Sequence, residues 1–233
     1  QTVLHILQSE TLPEQFIFTT AGLIAANGVN HNSIGVCVNT LMQLNASPDG
    51  LPVAFVVRGL LASRTEQSAV EFIKNVKHAS GQNYILGTGD KVYDFEASAT
   101  GVVRFTPVEG GTPVYHTNHP LANDDLKPWW AQRTSTMTPE ERKYSNSHVR
   151  FVSLETRLAK SDLDIVEEKI KETLRSRDSE WNPVCRSLKS GGAGFTFGST
   201  IMTLSGHPSL QVTYGPPDKS EYVLYSFRSI ATP

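Results

Sequence analysis

His116, Thr117 and Asn118 stand in a row inside Val114-Tyr115-His116-Thr117-Asn118-His119-Pro120-Leu121. The approach, Thr112 to Tyr115, has the composition of an extended strand, and Pro120 stops it just after the polar run. A side-chain amide fixed at a strand end suits acyl-transfer chemistry. Its N–H can point at a carbonyl oxygen as that oxygen gains negative charge. The competing reading is a polar turn in which Asn118 bonds its own backbone. Eight residues do not choose between the two, so the elements that would position them matter.

Length and composition set the frame. A chain of 233 residues, 39% hydrophobic, holds one large domain or two small ones. A net charge of −2 without basic blocks gives no reason to expect nucleic acid or an anionic membrane as partner. No run approaches the ~18 apolar residues of a membrane span. With no targeting segment in these residues either, a cytoplasmic location is the default expectation. The chain opens Gln1-Thr2-Val3-Leu4-His5-Ile6, without Met and already strand-like, so its true start is expected to lie elsewhere.

Taken in order, Thr2 to Leu7 and Glu14 to Thr20 predict a hairpin around Pro13. Asn27-Gly28 carries a hairpin-turn signal. The next strand alternates, with Ile34, Val36 and Val38 on one face and Gly35, Cys37 and Asn39 on the other. That second face is small and partly polar, suited to bordering a ligand or to close packing of another layer. Pro52 to Ala62 is apolar and fits a strand or a buried helix; Thr65 to Ser80 predicts an amphipathic helix stopped by Gly81. Asn83 to Gly87, Lys91 to Ala97, Val102 to Phe105 and Thr112 to His116 predict consecutive strands, with turns at Thr88-Gly89-Asp90 and Glu109-Gly110-Gly111. The chain is expected to be irregular from Leu121 through Trp129 and Trp130. Thr138-Pro139-Glu140-Glu141 is a capping box that predicts a helix through Arg150 towards Leu158, and Ser161-Asp162-Leu163-Asp164 starts another with Leu163, Val166, Ile170 and Leu174 inward. Three strands close the chain: Phe195 to Leu204, Leu210 to Tyr214 and Glu221 to Phe227. Strands, two helices, strands, two helices, strands predict an α+β fold, a four-layer αββα sandwich of two mainly antiparallel sheets, in a single domain over 1–233.

Within this frame the chain resembles a family. Gly22-Leu23-Ile24, Asn32-Ser33-Ile34-Gly35-Val36-Cys37-Val38-Asn39, His116-Thr117-Asn118-His119, Val184-Cys185-Arg186 and Tyr214-Gly215-Pro216-Pro217 occur in an order similar to the acyl-CoA:6-aminopenicillanic acid acyltransferase family. That family is a branch of the N-terminal-nucleophile (Ntn) hydrolases, more distantly related to penicillin V acylase, bile salt hydrolase and acid ceramidase. The resemblance runs from about Gln1 to about Phe227 and implies the same αββα sandwich. It implies an amide-bond hydrolase or acyltransferase working through an acyl-enzyme and matured by autocatalytic cleavage. It makes Asn118 the side-chain oxyanion donor and Arg150, in Ser147-His148-Val149-Arg150, an arginine near the nucleophile. It places Asn39 near a position that lines the site, and leaves Asn30 and Asn32 competing for one turn position. An amide or acyl-CoA is the implied substrate, with no cofactor.

One departure is large. The family's nucleophile is a freed N-terminal Cys, whose α-amino group is the base, and residue 1 here is Gln. The nucleophile is expected roughly two to three dozen residues before Gln1, on a first strand carried by an upstream segment or a second chain. The alternative is a non-catalytic binding domain that keeps the sandwich without the nucleophile; the upstream sequence separates the two.

The remaining reactive residue types have plainer readings. Cys37, mid-strand between valines, reads as a small buried hydrophobe, and Cys185 as structural despite Arg186 beside it. His5, His31, His78, His116, His119, His148 and His207 show no zinc spacing, so no metal is expected. Asp124-Asp125 and Glu167-Glu168 read as solvated surface. Gly191-Gly192-Ala193-Gly194 lacks the Gly-Lys-Ser/Thr ending of a phosphate loop and reads as a flexible connection. Trp129 is taken as a candidate lining of an apolar acyl pocket, with Trp130 beside it and aromatic core as the competing reading.

Overall fold

The computed structural model describes residues 1–108, 113–159, 166–188 and 194–228. Among them, β1 (Thr2–Ile6), β2 (Gln15–Thr19), β3 (Asn27–Asn30), β4 (Gly35–Thr40), β5 (Gln82–Gly87), β6 (Val92–Ala97) and β7 (Val102–Phe105) form one seven-stranded sheet in chain order. Every pairing is antiparallel. β8 (Ser199–Thr203), β9 (Ser209–Thr213) and β10 (Tyr222–Ser226) form a three-stranded antiparallel sheet.

Strand alternation explains the layers. Ile17, Val36, Tyr84, Leu86 and Phe95 point to one face and pack on α1 (Val53–Ala62) and α2 (Glu66–Asn75) through Val56, Val57, Leu60, Leu61 and Ile73. Each such fully buried side chain contributes ~1.5–3 kcal/mol of transfer free energy. Phe16, Phe18 and Val29 point the other way and meet Leu210, Val212 and Phe227 of the small sheet. The outer face of that sheet carries Gln211 and Tyr222, over which α6 (Glu167–Arg175) lies, with Lys171 and Arg175 above the Tyr222 ring at 5.3 and 5.7 Å. The order is therefore α, β, β, α: an α+β sandwich of two antiparallel sheets, as expected. Gly35 and Cys37 face the second sheet, and a Cβ on Gly35 would meet Leu204 at 2.9 Å. Close approach of another layer accounts for that small-residue face.

Several expectations are corrected. Asn27-Gly28 is no turn; it lies within β3, where a Cβ on Gly28 would meet Phe16 O at 2.7 Å and Leu61 at 2.8 Å. The turn falls at residues 30–34, with Ser33 at φ 63° and Asn30 Oδ1 accepting the N–H groups of Asn32 and Ile34. Pro52 to Ala62 resolves as helix. The helix after Thr65 ends at Asn75, short of Gly81. α3 (Pro128–Thr136) forms where an irregular stretch was expected, marked only by Pro at its first position. The capping box at Thr138 is present, yet α4 (Pro139–Lys143) stops after five residues. Ser145 caps a new helix, α5 (Asn146–Leu154), followed by a single π-helical turn, Glu155–Ala159. Val166 is exposed rather than inward. Residues 114–117 carry no regular secondary structure, so within the described residues the strand expected over Thr112 to His116 does not form. The turn at Glu109-Gly110-Gly111, the helix start at Ser161 to Asp164, and Gly191-Gly192-Ala193 lie outside the described residues.

Candidate active site

The polar run has no ladder to hold it, and a buried carboxylate takes that place. On β6, Tyr93, Phe95 and Ala97 face the helices, which turns Asp94 and Glu96 to the inter-sheet side, both fully buried. Glu96 Oε1 accepts from Leu121 N–H at 2.6 Å and from His116 Nε2 at 2.7 Å. Oε2 accepts from Ala122 N–H at 3.0 Å and Asn123 N–H at 2.7 Å. His116 Nδ1 in turn meets Thr117 O at 2.7 Å, so both ring nitrogens face oxygen atoms and the ring is held from two sides. Burial pushes the Glu96 carboxyl up, but the bonds from His116 and three backbone N–H groups outweigh it and hold Glu96 below the usual range.

The next residues are held by α5. Asn118 N–H donates to Ser147 Oγ at 2.6 Å, and Thr117 Oγ1 donates to Ser147 O at 2.9 Å. Ser147 Oγ also meets His119 Nδ1 at 2.8 Å. Burial, with His116 and His148 nearby, pulls His119 down from 6.5 to about 4, so its ring is neutral near pH 7.

This fixes the Asn118 side chain between two elements. Its Oδ1 accepts from Arg150 Nη2 at 3.0 Å, and one Nδ2 hydrogen goes to Thr40 O at 3.2 Å. Its backbone oxygen accepts from Gln43 Nε2 at 3.1 Å. Arg150, one helical turn after Asn146, donates Nε to Asn146 Oδ1 at 3.0 Å, so its guanidinium plane is set from two directions. Burial, then Arg186, lowers Arg150 to about 10; it stays charged near neutral pH. Asn39, on β4 beside Thr40, donates Nδ2 to His116 O and towards Asn83 Oδ1, each at 3.4 Å. A primary amide has two N–H bonds. In Asn118 one is spent on Thr40 O, and the other has no partner among the described residues.

Asn118, Arg150 and Asn39 are thus brought together. Asn32 is not: it sits before the opposite end of β4, seven residues from Asn39, roughly 20 Å away at strand rise. Its neighbour Asn30 has a packing role, donating Nδ2 to Leu61 O and Ser63 O at the end of α1. Trp129 is half exposed on α3 and stands edge-on to Trp130, which is the one that lines a cavity next to the Asn118 peptide. Glu96, Ser147 and Gln43 were not foreseen from the sequence. Glu96 had a visible signal: Asp94 and Glu96 alternate with the apolar side chains of a sheet interior.

Neither cysteine is activated. Burial pushes the Cys37 thiol up to about 11, and Cys185 is raised by burial while its Sγ donates to Asp218 Oδ1 at 3.2 Å. Among the described residues no group of three His, Cys, Asp or Glu side chains is placed to hold a metal ion. Nor is any helix among them long and apolar enough to cross a membrane. The cluster can therefore bind, orient and stabilise developing negative charge.

Residues 5–209 match the model of the family described as acyl-coenzyme A:6-aminopenicillanic acid acyl-transferase. No curated protein matches the chain. Among solved structures, a mutant conjugated bile acid hydrolase from Clostridium perfringens is 13% identical, with 94% of this chain and 82% of that one covered and a TM-score of 0.47. The Caenorhabditis elegans orthologue of N-acylethanolamine-hydrolyzing acid amidase is 12% identical, with 97% and 87% covered and a TM-score of 0.48.

Proposed function

We propose, because the chain belongs to the acyl-coenzyme A:6-aminopenicillanic acid acyl-transferase family, that it is the larger part of an enzyme that cleaves or exchanges an amide bond through an acyl-enzyme. The nucleophile, an N-terminal Cys freed by autoproteolysis, lies outside residues 1–233. Its α-amino group takes the thiol proton as sulfur attacks the carbonyl carbon. The carbonyl electron pair moves to oxygen, and the free N–H of Asn118 donates to the oxyanion. Collapse breaks the C–N bond, and the amine leaves with the proton held by the α-amino group. Water or a second amine then takes the acyl group from the thioester. Where an acyl-CoA is the donor, the leaving group is its thiol. Arg150 acts as a positioning residue: it fixes Asn118 Oδ1 and places positive charge behind the amide. Asn39 holds the backbone of the same stretch through His116 O.

The observation that carries this reading is the double tether of Asn118. Arg150 takes its oxygen and Thr40 O takes one hydrogen, which leaves one N–H aimed by rigid elements. In the enzyme assembled with its upstream segment, Asn118→Ala is expected to lower turnover by about 10²–10³-fold, the loss typical of one oxyanion donor. A drop under tenfold contradicts the role.

A further inference from the structure

Three neighbouring strands turn a polar side chain to the inter-sheet side. Asn39 on β4 stands directly opposite Asn83 on β5, and Asp94 on β6 is the diagonal neighbour of Asn83. Asn83 and Asp94 are fully buried, and Asn39 is half-buried. The bonds among them run in one direction. Asp94 Oδ1 accepts from Asn83 Nδ2, which also reaches Phe95 O at 3.5 Å. Asn83 Oδ1 then faces Asn39, whose Nδ2 donates to it and to His116 O, each at 3.4 Å. Neither amide fits the other way round. A turned Asn83 would set its oxygen against Asp94 Oδ1 and Phe95 O, and a turned Asn39 would set its oxygen against Asn83 Oδ1 and His116 O. The direction is imposed from the Asp94 end, because an ionised carboxylate only accepts.

This row is costly to the fold. Asp94 Oδ2 has no partner, and burial pushes the carboxyl up to about 6. An apolar side chain of similar volume would serve packing at least as well. What the row accomplishes lies at its other end. His116 O belongs to the backbone that leads through Thr117 to Asn118, and Thr40, the residue after Asn39, accepts from the Asn118 amide at 3.2 Å. Asn39 and Thr40 thus hold the Asn118 stretch at two points of one strand end. We propose that Asn83 and Asp94 are positioning residues of the candidate site: Asp94 sets the Asn83 amide, Asn83 sets Asn39, and Asn39 holds the stretch that aims the free N–H of Asn118. The inference rests on the oxyanion role proposed above, but its first measurement does not need the reaction.

That measurement is hydrogen exchange of the Asn39 side-chain amide, followed by NMR in the 233-residue protein near neutral pH. Asp94→Asn keeps an acceptor for Asn83 and is expected to leave the exchange unchanged. Asp94→Leu and Asn83→Leu are expected to speed it about tenfold or more, because the Asn39 amide is then no longer held in one orientation. The second measurement is the rate of acylation by a β-lactone in the protein carrying its upstream segment. It is expected to fall about 10–100-fold in the two Leu variants, the loss that follows a displacement of about 1 Å at a reacting group. In Asp94→Leu the fall is expected without a lower melting temperature, which a merely structural role would not give. Asn83→Asp alone sets two carboxyls face to face and is expected to slow acylation likewise. Adding Asp94→Asn puts an N–H between them again and is expected to restore the rate to within about threefold of wild type. This pair decides the matter if circular dichroism shows the Leu variants unfolded. Unchanged exchange in a folded Leu variant, unchanged acylation beside faster exchange, or a second substitution that restores nothing overturns the proposal. Wild-type acylation in the folded Leu variants with loss in Asn118→Ala refutes the positioning and leaves the oxyanion role intact. If wild type forms no adduct, the nucleophile reading fails, and the exchange of Asn39 alone decides this one.

Discussion

Replacing Glu96 by Gln changes one oxygen of a buried side chain to an amide nitrogen, and the consequence can be worked through bond by bond. Glu96 faces four N–H donors, two on each oxygen. The new amide nitrogen must therefore oppose two donors whichever way the side chain is turned. Two charge-assisted bonds are lost, at about 1.5–3 kcal/mol each, so the cost is about 3–6 kcal/mol. A domain of this size has a stability of about 5–15 kcal/mol. At about 2–4 °C per kcal/mol, the melting temperature of Glu96→Gln is expected to fall by about 6–24 °C. Thermal and urea unfolding followed by circular dichroism measure it. The pH dependence gives an internal check. Glu96 is held below its unfolded value, so its contribution is complete above about 4.5 and is lost as pH falls through the folded value. The gap between wild type and variant must then narrow in acid. A variant within 1 kcal/mol of wild type at pH 7.5, or a gap that widens in acid, refutes the anchor.

Three further expectations share this chemistry. Burial raises Asp94 from 3.8 to about 6, worth about 3 kcal/mol against the ionised form, and its Oδ2 has no partner. The protein is therefore most stable with Asp94 protonated and loses stability as pH rises from 3.8 to 6; Asp94→Asn, at the cost of a buried N–H, is expected to be about 1–2 kcal/mol more stable than wild type at pH 8 by urea unfolding, with no gain below pH 4. His119 has the opposite sign: its neutral form is favoured from 6.5 down to about 4, so stability falls by at most about 3 kcal/mol as pH drops through that window, and His119→Gln is expected to show a shallower fall in the same titration. Arg150→Lys keeps the charge but cannot bond Asn118 and Asn146 together, so kcat is expected to drop about 10–100-fold with KM little changed. Unchanged kcat means that charge alone, not the fork, is what Arg150 supplies.

Local pattern carried the fold a long way. Alternation in β4 and β6 and the apolar stripe after Thr65 were readable because each reports one face buried against one layer. Errors arose where a residue type serves two purposes. Gly28 fits a turn by type, but it is needed where β3 passes under Phe16 O and Leu61. Tyr115 and its neighbours have strand composition, yet the stretch is fixed through Glu96, which takes the His116 ring and the N–H groups of Leu121, Ala122 and Asn123 across 20 to 27 residues. Such bonds leave no periodic trace. The helix predicted from Thr138 to Leu158 is broken because Ser145 accepts from His148 N–H and starts a new one. In the site, the polar run pointed to Asn118 and the small polar face of its strand to Asn39, while Arg150 was legible only through the resemblance. Their contact is a property of the fold, since Arg150 is 32 residues from Asn118. Asn32 came from the turn position that the resemblance implied, and Trp129 from following the Asn118 stretch closely, where its neighbour Trp130 is the one that lines the cavity.

In the proposed mechanism Asn118 and Arg150 serve a nucleophile that residues 1–233 do not contain. The direct measurement is to treat the protein carrying its upstream segment with an acylating β-lactone, digest it, and map the adduct by mass spectrometry. We expect one adduct, on a Cys N-terminal to Gln1, and about 10²–10³-fold slower adduct formation in Asn118→Ala. An adduct on Cys37, Cys185 or Ser147 would contradict the mechanism.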